Sequence, residues 1–251
     1  MHRLLVESGA LHEAHPSLSK DALNHLKVLR PKDGEEVELF DGAGRTRVYR
    51  YAAEARALVE PLPAVVHPRP AVALTLFACV TKGSRWDWTI EKATELGVTR
   101  IVPVISERTI VRIAPGEREA KRERWMRIAA DAARQSDAVW LPEVLAPVAF
   151  ADSLALVAET TCFVGALTTP PSLPLAEAVL ASRGGSAAGR GFGVYVGPEG
   201  DFTPEELAAL LKVARPTSFG PTVLRAETAA VYALAVVSSL IDRSRGDCPS
   251  G

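Results

Sequence analysis

The stretch V-Y-V-G-P-E-G-D-F, from Val194 to Phe202, decides the fold, and F-G-P-T-V-L-R-A-E-T-A, from Phe219 to Ala229, repeats its form. Each passes from a β-prone run into a turn rich in Gly and Pro, and a helix signal follows directly. Open α/β sheets bind small ligands at such strand-end turns, because backbone N–H groups and helix N-termini face one crevice there. The pair therefore predicts an α/β domain whose ligand crevice lies between the two turns.

From residue 71 onward, β-prone and helical patterns alternate, as a largely parallel sheet with crossover helices requires. The apolar run V-A-L-T-L-F-A-C-V predicts a buried strand, and the segment from Trp86 to Leu96 has the periodicity of an amphipathic helix. Pro103 in the next β-prone run indicates an edge strand or a bulge, because proline lacks the amide donor. Later segments predict a helix over 118–136, a strand over 160–168 and a helix over 175–181.

Residues 1–60 form a different region, which is small and β-prone and contains one helix that Ser19 can cap and Pro31 ends. Prolines at positions 61, 63, 68 and 70 follow, and they cannot continue a central strand or a helix interior. We therefore predict two domains, over residues 1–70 and 71–251.

Composition excludes several classes of protein. The formal net charge of −1 argues against coating nucleic acid by bulk charge. The cysteines, Cys79, Cys162 and Cys248, are too far apart for a disulfide framework or a metal-binding pair, which favours the reducing cytoplasm. No signal peptide is visible and no apolar run approaches 18 residues, so we expect neither secretion nor a membrane span. All five histidines lie within the first 67 residues, so the crevice has none.

One segment is locally basic. Between Arg100 and Arg134, nine Lys and Arg residues face five Asp and Glu residues. Such a segment is either a solvated helix surface with ion pairs or a contact surface for nucleic acid, and the sequence leaves both open.

The chemistry of the first turn disfavours phosphate. Thr203-Pro204-Glu205-Glu206 is a capping box that satisfies the N-terminus of its own helix. Glu199 inside the turn would repel phosphate and attract a cation or a hydroxyl group. The turn therefore suits a neutral or positively charged ligand.

The second turn places Arg225 and Glu227 just before a helix that is apolar almost all round. Such a helix is expected to be buried against the sheet and against another subunit. Arg225 and Glu227 form either a structural ion pair or direct contacts with the ligand, and both roles are compatible.

Together these stretches resemble the SPOUT superfamily of S-adenosylmethionine-dependent RNA methyltransferases, and within it the family that methylates N3 of a uridine in 16S ribosomal RNA of the small subunit. The resemblance covers most of the chain, and its motifs occur in a consistent order. They are H-L-K-V-L-R from His25, K-G-S-R-W-D-W-T-I-E-K-A-T-E-L-G-V from Lys82, Q-S at Gln135, P-E at Pro142, G-P-E-G from Gly197 and L-R-A-E-T-A from Leu224.

The resemblance implies a PUA-like β-barrel over residues 1–70 and an α/β SPOUT domain with a trefoil knot over 71–251. It also implies an obligate homodimer that binds S-adenosyl-L-methionine and small-subunit RNA. The implied cofactor-binding residues are Leu167, Thr168, Gly197, Pro198, Glu199, Gly200, Gly220, Leu224, Glu227 and Thr228. The implied RNA-binding residues are Arg3, Arg30, Lys82 and Arg85.

The hypothetical reaction is attack of uracil N3 on the methyl group of adenosylmethionine. N3 carries a weakly acidic proton, so Arg225, or a basic side chain from the partner subunit, is assigned to stabilise the developing anion. A carboxylate such as Glu199, or water, is assigned to take the proton. Two alternatives stay open: an α/β enzyme for a nucleotide or sugar phosphate, and a non-catalytic RNA-binding protein.

Two positions depart from the family pattern. Ala138 stands where the family usually has Arg, and Asp201 stands where it usually has Gly. The first puts one RNA or subunit contact in doubt, and the second adds a negative charge near the mouth of the cofactor site.

Overall fold

The computed structural model describes residues 1–166, 172–182 and 191–242. The chain divides into two compact units. The first comprises residues 1–70 together with 130–141, and the second comprises residues 71–129 and the chain from 142 onward. The predicted fold class, a parallel α/β domain with a small β-rich N-terminal region, is confirmed.

The first unit is built on a five-stranded sheet with the order β1-β2-β3-β4, and β5 pairs with β3. β1 and β2 are parallel, and the other pairs are antiparallel. The strands are β1 (His2–Leu5), β2 (Glu36–Phe40), β3 (Arg45–Ala52), β4 (Ala57–Val59) and β5 (Val65–Val66). The sequence patterns predicted the first four. They missed β5, whose two residues are exposed and flanked by prolines.

The single α-helix of this sheet region, α1 (Lys20–Leu29), begins and ends as predicted. The Ser19 hydroxyl accepts a hydrogen bond from the Ala22 amide at 3.2 Å, which satisfies one free donor of the first turn. At the other end Arg30 has a φ of 47°, and Pro31 then prevents continuation.

The second unit is built on a seven-stranded parallel sheet with the order β12-β10-β11-β6-β7-β8, and β9 also pairs with β7. Its strands are β6 (Leu74–Cys79), β7 (Arg100–Ile105), β8 (Glu143–Val144), β9 (Val148–Ala149), β10 (Thr161–Gly165), β11 (Phe192–Val196) and β12 (Ala214–Thr217). The remaining helices are α2 (Ser84–Glu95), α3 (Arg118–Gln135), α4 (Phe150–Val157), α5 (Leu175–Ser182), α6 (Pro204–Leu210) and α7 (Ala226–Asp242).

Helices cover both faces of this sheet, which explains the unbroken apolar run of β6. Leu76 packs in one core cluster with residues of α2, α5 and α7, whereas Phe77 packs in the other with residues of α4 and α6. The predicted trefoil knot of this unit stays a prediction.

Pro103 lies in β7, which is the second strand from the edge and not the edge itself. On the outer side, β8 pairs with Arg100 and Ile101, and β9 pairs with Val104 and Ile105. Pro103 therefore faces the interval between two short strands, where its missing amide removes no ladder bond.

Helix α7 packs one face into the core through Ala233, Leu234 and Val237, which are fully buried. Its other face is partly accessible in the single chain, and Tyr232 is 40% exposed. The predicted burial of this helix against the sheet is therefore observed, and its burial against another subunit stays a prediction.

Candidate functional site

A cavity of about 430 Å³ lies at the carboxyl ends of β10, β11 and β12, beside the start of α7. This is the edge at which parallel α/β sheets hold their ligands, and the volume is typical of small-molecule sites. The cavity is lined by residues 165–166, 195–199, 201, 217–226 and 229. Both predicted turns therefore contribute to the same cavity.

The first turn, residues 197–202, is tightly folded. The Asp201 amide donates to the Pro198 carbonyl at 3.0 Å. Asp201 has a φ of 60°, and its own carboxylate accepts from the Phe202 amide at 2.7 Å. At Gly197, a Cβ atom would lie 2.9 Å from Cε2 of the buried Phe202 ring. Gly197 is therefore required by a close approach of this ring.

The capping box predicted after this turn is present. The Thr203 hydroxyl accepts from the Glu206 amide, and the Glu206 carboxylate accepts from the Thr203 amide, both at 3.2 Å. The other carboxylate oxygen of Glu206 accepts from the Glu107 amide at 2.9 Å. Glu206 thus also joins the turn to the loop after β7, a contact that sequence reasoning missed.

Glu199 forms an ion pair with Arg85, whose Nη1 lies 3.2 Å from its Oε1. The Glu199 side chain is 26% exposed and the Arg85 side chain 42%. Arg85 belongs to the first turn of α2, so this pair connects the start of α2 to the cavity wall. The predicted RNA-binding residue and the predicted catalytic residue are therefore in direct contact.

The second turn follows β12 and continues to the start of α7. Gly220 has a φ of 117°, a conformation that favours glycine, and its amide donates to the Ser218 hydroxyl at 3.3 Å. The Phe219 ring occupies the space beside Gly165, where a Cβ would lie only 2.6 Å from Phe219 Cε2. Both residues line the cavity, and a side chain at Gly165 would displace this aromatic wall.

Arg225 lines the cavity and is exposed, but no ion pair joins it to Glu227 within the described part of the chain. Oε2 of Glu227 is buried, and no described residue offers it a hydrogen-bond partner. A buried carboxylate oxygen without a partner is costly unless a ligand or another group satisfies it. Glu227 itself is not among the lining residues.

The structure brings half of the ten predicted cofactor residues together in the cavity wall. Gly197, Pro198, Glu199, Gly220 and Leu224 line the cavity, whereas Gly200, Glu227 and Thr228 adjoin it in sequence without lining it. Leu167 and Thr168 lie outside the described residues.

Sequence reasoning missed Tyr195 and Phe219, which also line the cavity. The Tyr195 hydroxyl lies 2.8 Å from the Ser153 hydroxyl, and burial raises the pKa of the phenol well above its usual range. The Tyr195 ring is fully buried against Phe77, Phe150 and Phe202, so it stays neutral and supports the cavity from the core. An apolar β-strand pattern gives no signal that one of its residues reaches a ligand cavity.

Arg3, predicted to bind RNA, is placed differently. It is only 6% exposed, its Nε donates to Glu38 at 2.5 Å and its Nη1 donates to the Ala133 carbonyl at 3.0 Å. Its guanidinium also lies 4.4 Å from the centre of the Phe40 ring. The difference arises because β1 places Leu4 in the core and Arg3 on the opposite face of the sheet, where Glu38 and the Ala133 carbonyl bind its guanidinium. Arg30 and Lys82 are exposed.

The basic segment is partly neutralised by ion pairs. Arg100 pairs with Glu143 and Glu159, and these carboxylates raise the pKa of its guanidinium. Three further arginines, Arg122, Arg124 and Arg134, pair with Glu119, Asp87 and Asp131. Lys121 and Arg127 are exposed, and no ion pair involves them in the described part of the chain. The ion-pair interpretation thus holds for these four arginines, and the nucleic-acid interpretation stays a prediction.

Over residues 1–166, 172–182 and 191–242, no group of three or more His, Cys, Asp and Glu side chains is arranged to hold a metal ion. The helices in these ranges are also too short or too polar to cross a membrane.

The residues present fit a ligand that combines a cation with apolar surface. Arg225 is the one cationic side chain among the lining residues, against the carboxylates of Glu199 and Asp201. The apolar part of the wall includes Phe219 and Leu224. A sulfonium ligand such as adenosylmethionine meets these conditions better than a phosphate does.

Two family profiles match the chain. The one described as RNA methyltransferase domain matches residues 68–238, and the one described as RNA methyltransferase PUA domain matches residues 18–59.

Individual proteins similar to this chain are also named as RNA methyltransferases. The chain is 33% identical to a ribosomal RNA small subunit methyltransferase E from Synechocystis sp., over 96% of this chain and 78% of that protein. It is 32% identical to the protein of the same name from Mycobacterium tuberculosis, over 88% of this chain and 86% of that protein. The crystal structure of a ribosomal RNA small subunit methyltransferase E from Neisseria gonorrhoeae, bound to S-adenosyl methionine, has a TM-score of 0.79 at 28% identity and covers 96% of this chain and 98% of that one.

Proposed function

Because the chain belongs to the ribosomal RNA small subunit methyltransferase E family, we propose that it transfers a methyl group from S-adenosylmethionine to N3 of a uridine in 16S ribosomal RNA. The observation that carries the proposal is the cavity between the two motif turns, at the carboxyl ends of β10, β11 and β12. Its two carboxylates, aromatic wall and glycine turns suit a sulfonium cation attached to an adenosine.

We assign the cofactor to this cavity. Gly197, Pro198 and Glu199 would hold it on one side, and Gly220 and Leu224 on the other. Leu167, Thr168, Gly200, Glu227 and Thr228 complete the proposed cofactor-binding set. When bound, adenosylmethionine supplies a methyl group activated by the positive charge of its sulfur. The unpartnered Glu227 carboxylate oxygen is a further candidate acceptor for a polar group of the ligand.

Arg225 is the proposed catalytic residue for the uracil. Its guanidinium is exposed at the cavity and makes no ion pair within the described residues, so it is available to a developing anion. Stabilising such an anion is the electrostatic contribution that the reaction needs, because N3 becomes nucleophilic on losing its proton. Glu199 is the proposed carboxylate for that proton, and its ion pair with Arg85 has to loosen for this role.

RNA binding is assigned to exposed cations outside the cavity. Lys82 and Arg85 flank the loop after β6, and Lys121 and Arg127 lie on α3. Arg30 extends the set into the first unit, whose match to a PUA domain supports RNA contact there. Basic side chains of this kind neutralise phosphates and position the RNA without reading its sequence.

We further propose that the protein acts as a cytoplasmic homodimer. The support is the partly exposed apolar face of α7, on which Tyr232 is 40% exposed. A second copy covering this face would bury both sides of a helix whose sequence is apolar almost all round.

The proposal is tested in three steps. Calorimetry first measures adenosylmethionine binding, and transfer of labelled methyl to small-subunit RNA or small subunits follows. Nucleoside analysis of the product then identifies the methylated position, which we expect to be 3-methyluridine. Absence of binding at about millimolar cofactor would favour the nucleotide or sugar-phosphate alternative, and RNA binding without transfer would favour a non-catalytic protein.

The role of Arg225 has its own test. Arg225→Ala should lower turnover by about 100-fold while leaving the affinity for adenosylmethionine within about threefold, because the side chain acts on the uracil. Arg215→Ala serves as a control, since Arg215 lies on β12 and donates to Ser182 at 2.6 Å, away from the cavity lining. Unchanged turnover in Arg225→Ala would remove this residue from the mechanism.

A further inference from the structure

We propose that Arg108 is a positioning residue that sets the shape of the cofactor turn, residues 197–202, from outside the cavity. The inference rests on the proposed function, because it concerns the same cavity. Arg108 lies in the loop after β7 and is absent from the cavity lining. Its Nη1 donates to the Gly200 carbonyl at 3.0 Å and to the Phe202 carbonyl at 3.3 Å. One cationic group thus binds two backbone acceptors of a turn that belongs to another part of the sheet.

These two bonds determine how the peptide groups of the turn are oriented. A trans peptide is planar, and its C=O and N–H point in opposite directions. With the Gly200 carbonyl on Arg108, the Asp201 amide points the other way, to the Pro198 carbonyl at 3.0 Å. With the Phe202 carbonyl on Arg108, the Thr203 amide points to the Glu206 carboxylate at 3.2 Å. The peptide orientations that Arg108 favours are therefore those required by the hydrogen bond inside the turn and by the cap of the following helix.

The loop that carries Arg108 is itself held firmly. Thr109 is 1% exposed, its hydroxyl accepts from the Ser106 amide at 3.0 Å, and its own amide donates to the Ser106 carbonyl at 3.2 Å. The Glu107 amide is bound by the Glu206 carboxylate at 2.9 Å. Arg108 therefore projects from a fixed turn toward residues 200–202.

The aliphatic part of Arg108 lies on Gly200. A Cβ atom at Gly200 would meet Arg108 Cβ at 3.6 Å and Cδ at 3.7 Å, which are ordinary contact distances. The side chain thus covers the outer surface of the turn and binds its carbonyls with its charged end. Without it, two carbonyls would lose a charged donor in the turn that contains Asp201 at a φ of 60°, an unfavourable conformation for a residue with a side chain.

The test measures cofactor binding separately from chemistry. Calorimetry on the full-length protein should show that Arg108→Gln weakens adenosylmethionine binding by about tenfold, the effect of losing one charged hydrogen-bonding group. Arg108→Lys should weaken binding less than Arg108→Gln does, because its ammonium keeps the charge although it ends one bond short of the position of Nη1. Arg112→Gln, a change of an exposed arginine in the same loop, should bind the cofactor as wild type does.

Two further readouts separate positioning from other roles. In Arg108→Gln, amide hydrogen exchange should rise over residues 198–203, and the KM for adenosylmethionine should rise while turnover at saturating cofactor stays within about threefold of wild type. Unchanged cofactor affinity in this variant, with or without weaker RNA binding, would overturn the inference while leaving the proposed function intact. Failure of the wild-type protein to bind adenosylmethionine would instead refute the proposed function, and the inference with it.

Discussion

Gly197→Ala tests whether the first glycine of the G-P-E-G motif is required by packing. The new Cβ would lie 2.9 Å from Phe202 Cε2 and 3.2 Å from Phe202 Cζ. Carbon atoms in contact prefer separations of about 3.5 to 4.0 Å, so the ring or the turn must move by at least about 0.5 Å. Phe202 cannot easily withdraw, because its ring packs 5.6 Å from the Tyr195 ring and 5.8 Å from the Phe150 ring, measured between centroids.

Overpacking of this kind costs about 1 to 3 kcal/mol of unfolding free energy. For a chain of this size the loss corresponds to a decrease in Tm of about 3 to 9 °C. If the turn moves in place of the ring, the wall of the cavity changes, and the affinity for adenosylmethionine should fall by about tenfold, or about 1.4 kcal/mol. Urea unfolding followed by tryptophan fluorescence and calorimetry with the cofactor measure the two effects.

Gly200→Ala is the matched control, because the second glycine of the motif has room. The nearest atoms to its Cβ would be 3.6 Å and 3.7 Å away, both on Arg108. We expect its stability to be unchanged or increased by about 0.4 to 1 kcal/mol through a smaller unfolded-state entropy. Equal unfolding midpoints in the two variants would refute the packing argument.

Three further predictions concern other parts of the molecule. A double-mutant cycle with Arg85→Gln and Glu199→Gln should give a stability coupling below about 1 kcal/mol that disappears near 1 M salt, because the pair is partly exposed; a coupling above about 2 kcal/mol would contradict this. Burial raises the pKa of the Cys79 thiol from 9.0 to about 12, so the native protein keeps a proton that the unfolded chain loses above pH 9. The unfolding free energy should therefore fall as pH rises over this interval, and Cys79→Ala should make the fall shallower by up to about 1.4 kcal/mol per pH unit in urea titrations; identical slopes would show the assignment to be wrong. Gly44→Ala should destabilise the first unit by about 2 to 5 kcal/mol in urea unfolding, because φ is 85° and the Cβ would lie 2.2 Å from Trp140 Cζ2; a wild-type midpoint would exclude this packing.

Local sequence patterns predicted helices and strands well where the stabilising hydrogen bonds join residues that are neighbours in sequence. Ser19 caps α1 and Thr203 caps α6 as expected, because a capping hydroxyl needs only its own neighbouring amides. The buried run of β6 and the amphipathic face of α2 were equally clear, since periodicity reports burial directly.

Side-chain roles were predicted less well, because they depend on partners distant in sequence. Arg3 is of a residue type that often binds RNA, but the structure buries it. Its partners are distant in sequence, since Glu38 lies 35 residues away and Ala133 lies 130 residues away. Pro103 indicated an edge or a bulge, but its position beside an interruption between β8 and β9 depends on how four strands assemble.

By itself, the sequence determined the parallel α/β class, the small β-rich region before it and the two glycine-containing turns, because each depends on short-range propensity and spacing. Only the tertiary structure decided which residues of the two turns line the cavity, that Arg85 pairs with Glu199 and that Arg108 binds the carbonyls of the first turn. The reason is physical. A crevice between strand ends forms only once the strand order is set, and the order β12-β10-β11-β6 places segments adjacent that the chain keeps far apart.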